Sequence, residues 1–183
     1  MKALLLLSGC IDRANERVGA ALRWLVLATV LISTGNALSR HFFDLSSNAY
    51  LEVQWYLYAA FFLGSAGYTL LRNEHVRIDV LLGRFSMRVR AQIDAFGLLF
   101  FLLPVSSLLL YLSWPFFTQA WVSKEMSANA GGLILWPVYA TLPVGFGLLW
   151  LQGWSELIKR VAYLRGQLDA PISEAPTAHR PAP

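Results

Sequence analysis

Four long stretches without a charged side chain constrain this protein more than any other feature of its sequence. They run from Trp24 to Ser39, from Val53 to Leu71, from Ala95 to Ser123 and from Met126 to Ser155. The hydrocarbon core of a bilayer is about 30 Å thick and is crossed by about 20 residues of α-helix. Each stretch is therefore long enough, or nearly so, to form one membrane span.

The composition favours membrane spans over a water-soluble core. Hydrophobic residues make up 56% of the 183 residues and charged residues only 14%, whereas soluble domains carry about 25% charged residues. So few charges cannot cover a soluble fold of this length, and the apolar content excludes a disordered chain. The runs are too long for β-barrel strands and lack their alternation. The sequence therefore predicts an all-α integral membrane protein with four transmembrane helices.

The last two runs are longer than one span needs, so their boundaries must come from helix-breaking residues. Trp114-Pro115 is expected to end the third span, and Gly131-Gly132 is expected to open the fourth. We therefore predict the spans near residues 22–40, 51–71, 93–114 and 132–155.

Basic residues lie almost entirely on one side of these spans. Thirteen of the fifteen Lys and Arg residues precede the first span, lie between the second and third, or follow the fourth; only Arg40 and Lys124 lie on the other side. Cytoplasmic loops of membrane proteins carry such an excess, so both termini are predicted to be cytoplasmic. The net charge of +4 is then explained by topology and by anionic phospholipid rather than by nucleic acid.

The connection between the second and third spans has the pattern of an amphipathic helix. Its apolar residues recur at helical spacing over residues 78–91, and basic residues occupy the other face. Such a helix lies in the plane of the membrane surface with its basic face toward phosphates. The candidate headgroup contacts are Arg84, Arg88 and Arg90.

The two ends of the chain are expected to differ from the spans. Leu7-Ser8-Gly9-Cys10 resembles a lipoprotein cleavage site, but the preceding apolar stretch is shorter than a signal peptide needs. The N-terminal residues are interpreted instead as an apolar patch on the membrane. The proline-rich tail is expected to be disordered. The predicted organisation is a membrane domain over 1–166 and a disordered cytoplasmic tail over 167–183.

The sequence contains no recognisable catalytic, cofactor-binding or metal-binding group. The predicted span interiors hold no ionisable residue, which a stand-alone transporter or pump usually needs. The single cysteine and three scattered histidines do not form a redox or haem site. What remains is helix packing: small residues spaced four apart let helices approach closely. These candidate close-packing positions are Ala60, Gly64, Thr141 and Gly145.

Polar residues gather where the first span ends and the second begins. Arg40 lies at the outer end of span one, and Glu52 and Gln54 lie at the outer start of span two. An Arg40–Glu52 ion pair, separate solvation of each side chain, and contact with a partner protein are all compatible with this spacing. The sequence alone does not choose among them.

Several short motifs recur in one order along the chain and resemble those of one protein family. The most specific is His75-Val76-Arg77-Ile78-Asp79, which follows span two. The others are Glu52-Val53-Gln54-Trp55, Gly67-Tyr68, Glu125-Met126-Ser127, Gly131-Gly132, Trp136-Pro137, Pro143-Val144-Gly145 and Leu151-Gln152-Gly153. From about residue 15 to residue 164 the chain resembles the small membrane subunit, or DctQ-like component, of the tripartite ATP-independent periplasmic (TRAP) transporters.

This resemblance implies a role in sodium-driven uptake of organic acids across the bacterial inner membrane. In such systems a periplasmic binding protein captures the substrate, and a large membrane subunit carries it with sodium by an elevator movement. The small subunit would scaffold the large one and would hold no catalytic residue or cofactor. By position, His75, Arg77 and Asp79 would organise the turn into the interfacial helix. Glu52 and Glu125 would face the periplasmic side near the binding protein.

Two other functional classes remain as alternatives to a scaffold subunit. The first is a stand-alone small transporter or channel formed by self-association. The second is a membrane enzyme, or the anchor of one. A large membrane partner would separate the scaffold from the self-associating transporter, and a bound chromophore would favour the enzyme.

Overall fold

The computed structural model describes residues 2–45, 47–73 and 85–168, and these residues are helical apart from short connections. This confirms the all-α prediction for the described part of the chain. The helices are α1 (Lys2–Phe43), α2 (Asn48–Leu71), α3 (Met87–Gly97), α4 (Leu103–Ser123) and α5 (Trp136–Leu164). A π-helical turn, Leu98–Leu102, joins α3 to α4.

Helix α1 is longer than the first predicted span. It begins at Lys2 and continues without a break to Phe43. A helix of 42 residues is about 63 Å long at 1.5 Å per residue, roughly twice the hydrocarbon thickness of a bilayer. The N-terminal residues therefore extend the first helix, and their position on the membrane surface stays a prediction. The helix continues through this segment because α5 supplies partners for its polar residues Asp12 and Asn15.

Helices α3 and α4 form one rod through the π-helical turn. Pro104 lies at the start of α4, directly after the π-helical turn, so its missing N–H falls where the helical hydrogen-bond pattern already changes. Just before it, the Leu103 N–H bonds to the Leu98 carbonyl oxygen five residues back. The rod also continues past Trp114-Pro115 to Ser123, so the pair predicted to end the third span does not end the helix. One missing donor does not stop a helix whose other backbone groups have no better partners in an apolar environment.

Helix α5 begins at Trp136 and not at Gly131-Gly132, which corrects the predicted start of the fourth span. Gly131 has a φ of +72°, a left-handed conformation that suits a turn and not the first residue of a helix. Pro137 lies in the first turn of α5, where its fixed φ favours helix initiation. Residues 124–135 form a loop closed by an antiparallel bridge between Met126 and Ile134.

Helix α5 is the centre of the fold and packs against α1, α2, α3 and α4. We call the end of the bundle with the start of α1 and the end of α5 the inner end. Glu16 in α1 pairs there with Arg72 after α2. At the opposite, outer end, Asn48 at the start of α2 donates to the carbonyl oxygen of Ala130. Successive rods therefore run in alternating directions.

Among the described residues, two helical rods are long and apolar enough to cross a membrane by length and composition, α1 and the continuous rod Met87–Ser123. None of the most apolar stretch of α1 is buried within the chain, and only 17% of that of the rod is. Their apolar side chains therefore face outward. The chain offers them to lipid or to another protein.

The predicted interfacial helix is described only at its end. Most of its range, with His75, Arg77, Asp79 and Arg84, lies outside the described residues, as does nearly all of the predicted tail. Phe85 and Ser86 are not helical, and α3 begins at Met87. A single helix over 78–91 is therefore wrong in its last part, because Ser86 takes the extended conformation that precedes a helix.

Candidate functional site

At the outer end, the carboxylate of Glu52 fastens the 124–135 loop to the start of α2. Its Oε1 accepts hydrogen bonds from the Ser127 hydroxyl and from Nδ2 of Asn129, the latter at 2.8 Å. Its Oε2 accepts from the Leu133 backbone N–H at 2.6 Å. Glu52 is only 4% exposed. Three donors around one buried carboxylate form a set of strong, charge-assisted bonds. We call this arrangement the outer clasp.

The outer clasp changes the interpretation of the residues predicted to lie near it. Arg40 and Glu52 do not form the ion pair that their spacing allowed. Both carboxylate oxygens of Glu52 bond to the loop instead. Glu52 is also not an exposed contact residue. Arg40 and Glu125 are exposed, and Gln54 is partly buried. Partner contacts of Arg40, Gln54 and Glu125 stay predictions.

At the inner end, Glu156 lies at the centre of a buried ionic network between α1, α3 and α5. Its carboxylate binds Lys159 and Arg160, three and four residues further along the same helix. Lys159 continues to Asp12 of α1 at 3.0 Å, and Arg160 to Asp94 of α3 at 3.2 Å. Glu156 is fully buried and both cations are 2% exposed. We call this group the inner network.

Hydroxyl and amide groups extend the inner network along the α1–α5 contact. The Ser155 hydroxyl donates to Asp12 at 2.6 Å and lies 2.7 Å from the Ser8 hydroxyl. Gln152 donates from Nε2 to Asp12 at 2.9 Å and to Glu156 at 3.2 Å. Every one of these groups is thus paired, which is the condition under which buried polar groups stabilise a unique packing.

Asn15 joins three helices just outside this network. Its Nδ2 donates to Oε1 of Gln152 in α5 at 2.9 Å. Its Oδ1 lies against Gly67 of α2, where a Cβ would collide with it. Only a glycine at 67 lets the Asn15 amide reach this position between α1, α2 and α5.

Glycines also set the distances between helices elsewhere in the bundle. A Cβ on Gly145 of α5 would lie 2.7 Å from the carbonyl oxygen of Leu63 in α2. A Cβ on Gly64 would lie 2.8 Å from a methyl group of Leu22 in α1. Thr141 bonds back to the Val138 carbonyl oxygen at 2.6 Å. Among the predicted close-packing positions, Gly64 and Gly145 are buried, whereas Ala60 and Thr141 are partly buried.

The basic residues assigned to lipid or topology have different environments. Lys159 and Arg160 are buried and form ion pairs within the inner network. Arg88 is exposed, and Arg90 donates from Nε to the Phe85 carbonyl oxygen at 3.1 Å. Headgroup contacts of Arg88 and Arg90 stay predictions.

Sequence reasoning missed the inner network, although a signal for it was present. Ser8, Asp12 and Asn15 follow one another at helical spacing, and so do Gln152, Ser155, Glu156 and Lys159. Two polar stripes at the ends of apolar helices are typical of a buried interhelical contact.

In the described residues, no group of three or more His, Cys, Asp or Glu side chains is arranged to hold a metal ion.

Comparison with known families assigns the chain to one of them. The model of the family described as tripartite ATP-independent periplasmic transporters, DctQ component, matches residues 29–162. The chain belongs to the DctQ family. This match confirms the resemblance drawn from the motifs. Neither the curated proteins nor the solved structures gave a match.

The DctQ family consists of components of tripartite transporters and is not an enzyme family. Together with the apolar helices, membership makes this chain a membrane protein. Several DctQ-like motif residues meet each other in the fold. Glu52 bonds to Ser127, and Gln152 binds the Asn15 amide that Gly67 admits. These motif residues fasten the subunit internally.

Proposed function

We propose that this chain is the small permease subunit of a TRAP transporter in the bacterial inner membrane. In this role it scaffolds a large membrane subunit during sodium-driven uptake of an organic acid. A periplasmic binding protein delivers the substrate, and the large subunit moves it with sodium. The small subunit carries out no chemical step and needs no cofactor.

The observation that carries this proposal is the internal use of the motif side chains. The buried carboxylate of Glu52 and the amide of Gln152 accept or donate hydrogen bonds within the chain itself. Such bonds rigidify the bundle and do not leave these groups available for a substrate. A rigid frame with outward apolar faces on α1 and α4 fits a static partner for a moving subunit.

The proposed topology has four membrane spans with both termini in the cytoplasm. The alternating direction of the rods supports it, as does the position of the basic residues. Residues such as Arg13, Arg17 and Arg165 lie at the inner end, where phospholipid headgroups of the cytoplasmic leaflet would surround them. The outer clasp then lies on the periplasmic side.

The loop that the outer clasp holds is the proposed periplasmic face toward the binding protein. Its first residues are exposed, including Glu125. Beside it, the Lys124 ammonium lies 4.6 Å from the centre of the Trp121 ring, a cation–π contact. Because Glu52 fixes the loop from inside, the exposed side chains keep one arrangement for a docking protein.

Co-purification tests the proposed assembly. This chain would be expressed with the large TRAP membrane subunit of its own source organism, with an affinity tag on this chain only. We expect the large subunit to remain bound in mild detergent at a fixed ratio. Homo-oligomers without the large subunit would contradict the proposal and favour a self-associating transporter.

A further inference from the structure

A groove at the inner end of the bundle lies between the end of α2 and the rod formed by α3 and α4. It has a volume of about 600 Å³. Its apolar lining includes Leu70, Ile93, Gly97, Phe101 and Val105. The ion pair of Asp94 and Arg160 also lines it, and from Asp94 the apolar wall continues to Val105, about 16 Å further along the rod at 1.5 Å per residue. We call this cavity the inner groove.

Arg160 offers the inner groove a hydrogen-bond donor that the described chain does not use. Its Nε donates to Asp94 and its Nη1 to Glu156, whereas Nη2 makes no hydrogen bond with any described residue. Nη2 is also not one of the unpaired side-chain atoms that the fold seals from solvent, although Arg160 as a whole is only 2% exposed. The small accessible part of this buried side chain therefore faces the groove that it lines.

Gly97 keeps the wall of the groove open. Its φ is −59°, which any residue adopts, and glycine is among the least favourable residues inside a helix. Other glycines of the bundle admit a neighbouring helix, but a Cβ on Gly97 would meet nothing within 4 Å. Membrane proteins are closely packed against each other or against lipid, so the space beside Gly97 indicates an occupant from outside the described chain.

The size and chemistry of the groove fit an acyl chain better than a helix. With side chains an α-helix is about 10–12 Å across, so even two turns of one occupy about 850 Å³ or more, which exceeds the volume of the groove. A hydrocarbon chain is thinner, and the apolar wall from Ile93 to Val105 offers it a continuous surface. A hydrogen-bond donor where that wall begins matches an amphiphile, in which an acceptor is followed by a hydrocarbon chain.

The pairing of Arg160 selects the acceptor. Its charge is already paired with the carboxylates of Glu156 and Asp94, so Nη2 suits a neutral acceptor rather than a phosphate. In a phospholipid the ester carbonyl is neutral and is joined directly to the acyl chain. We infer that the inner groove holds one acyl chain of a phospholipid from the leaflet at the inner end, and that Nη2 of Arg160 donates to its ester carbonyl oxygen. This inference requires only that the chain lies in a membrane.

Native mass spectrometry of the full chain in mild detergent tests the inference, with phosphatidylethanolamine as the probe. Diester and diether forms with the same headgroup and chain length are compared, because the diether lipid lacks the carbonyl acceptor. We expect one diester lipid to stay bound and the diether lipid to bind about 3-fold to 20-fold more weakly, the range for a hydrogen bond in a membrane protein. Equal binding of the two lipids would overturn the contact with Arg160, and a chain that retains no lipid would overturn the inference as a whole.

Gly97→Leu tests where the lipid binds, because the new side chain would fill the open space of the groove. Gly35→Leu is the matched control, since a Cβ on Gly35 of α1 also meets nothing within 4 Å. We expect Gly97→Leu to weaken binding of the diester lipid at least about fivefold, because side chain and acyl chain do not fit together, and Gly35→Leu to leave it unchanged. The thermal midpoint of both variants should stay the same or rise, because leucine favours a helix more than glycine does.

Two results would place the lipid elsewhere and overturn the inference. The first is equal binding to the two variants, as a shell of lipid without a specific site would give. The second is a lower thermal midpoint for Gly97→Leu only, which would mean that the chain itself fills the groove. Neither measurement involves the large subunit, so either result would leave the proposed function untouched.

Discussion

Replacement of Glu156 by glutamine tests whether the inner network holds the bundle together. The substitution keeps the size of the side chain and removes its charge. In the structure the two oxygens of Glu156 bind Lys159 and Arg160, and Oε1 also accepts from Gln152. In the variant, a glutamine N–H would have to face one of the two cations, and both would keep their charge in a buried site.

The expected loss of stability follows from these bonds. Removing one partner from a buried ion pair costs about 3–5 kcal/mol, and a single hydrogen bond to a charged group contributes about 1.5–3 kcal/mol. We therefore expect Glu156→Gln to lower the free energy of unfolding by about 3–5 kcal/mol. At about 2–4 °C per kcal/mol for a chain of this length, the thermal midpoint should fall by roughly 6–20 °C.

The measurement is thermal unfolding of the purified protein in one detergent at one concentration, followed by tryptophan fluorescence. Glu16→Gln is the matched control, because Glu16 forms an ion pair with Arg72 in which the side chains are 56% and 49% exposed. Exposed pairs contribute about 0–1 kcal/mol, so the control should unfold nearly as the unmodified protein does. Equal thermal midpoints for the two variants would show that Glu156 does not hold the bundle together.

Two further predictions concern the outer clasp and helix packing. Glu52→Lys should impair transport by the assembled complex without preventing membrane insertion. It should also speed proteolysis within residues 124–135 at least about tenfold, because the loop loses three bonds to a charged acceptor. Glu125→Lys, at an exposed position, is the control for proteolysis, and equal cleavage of both variants would contradict the role of the clasp. Gly145→Ala should lower the free energy of unfolding, measured by the same thermal unfolding, by about 1–3 kcal/mol through overpacking against α2. Gly147→Ala, where a Cβ meets nothing within 4 Å, should be neutral or slightly stabilising. A neutral Gly145→Ala would argue against the close contact of α5 with α2.

The uncharged runs predicted the helices well because the length of such a run is by itself enough to indicate a helix. Each of the four predicted spans falls within or largely within one helical rod of the structure. The boundaries were less predictable, since they depend on tertiary contacts. Asp12 and Asn15 interrupt the apolar pattern of the N-terminal segment, yet α1 continues through them because α5 pairs both.

The candidate sites were harder to predict from the sequence. The partner of Glu52 is a loop about 75 residues away, and no local spacing indicates such a bond. Lys159 and Arg160 contribute to the charge bias that predicts orientation, but the pattern of basic residues does not show that both are buried. Whether a charge meets lipid or another side chain depends on how helices dock.

Both ends of the bundle are fastened by bonds within the chain. The outer clasp fixes the loop between α4 and α5, and the inner network fixes α1 and α3 to α5. Between these ends, the described residues leave the apolar faces of α1 and the α3–α4 rod largely uncovered. Internal bonds at both ends, together with apolar faces open to lipid or to another protein, fit the proposed scaffold role.

Reconstituted uptake tests whether this chain transports substrate or only supports the large subunit. Liposomes would hold this chain alone, the large membrane subunit alone, or both together, with the cognate binding protein outside and a sodium gradient across the bilayer. We expect no uptake of the bound organic acid with this chain alone, and sodium-dependent uptake when both membrane subunits are present. Robust sodium-dependent uptake by liposomes that contain only this chain would contradict it.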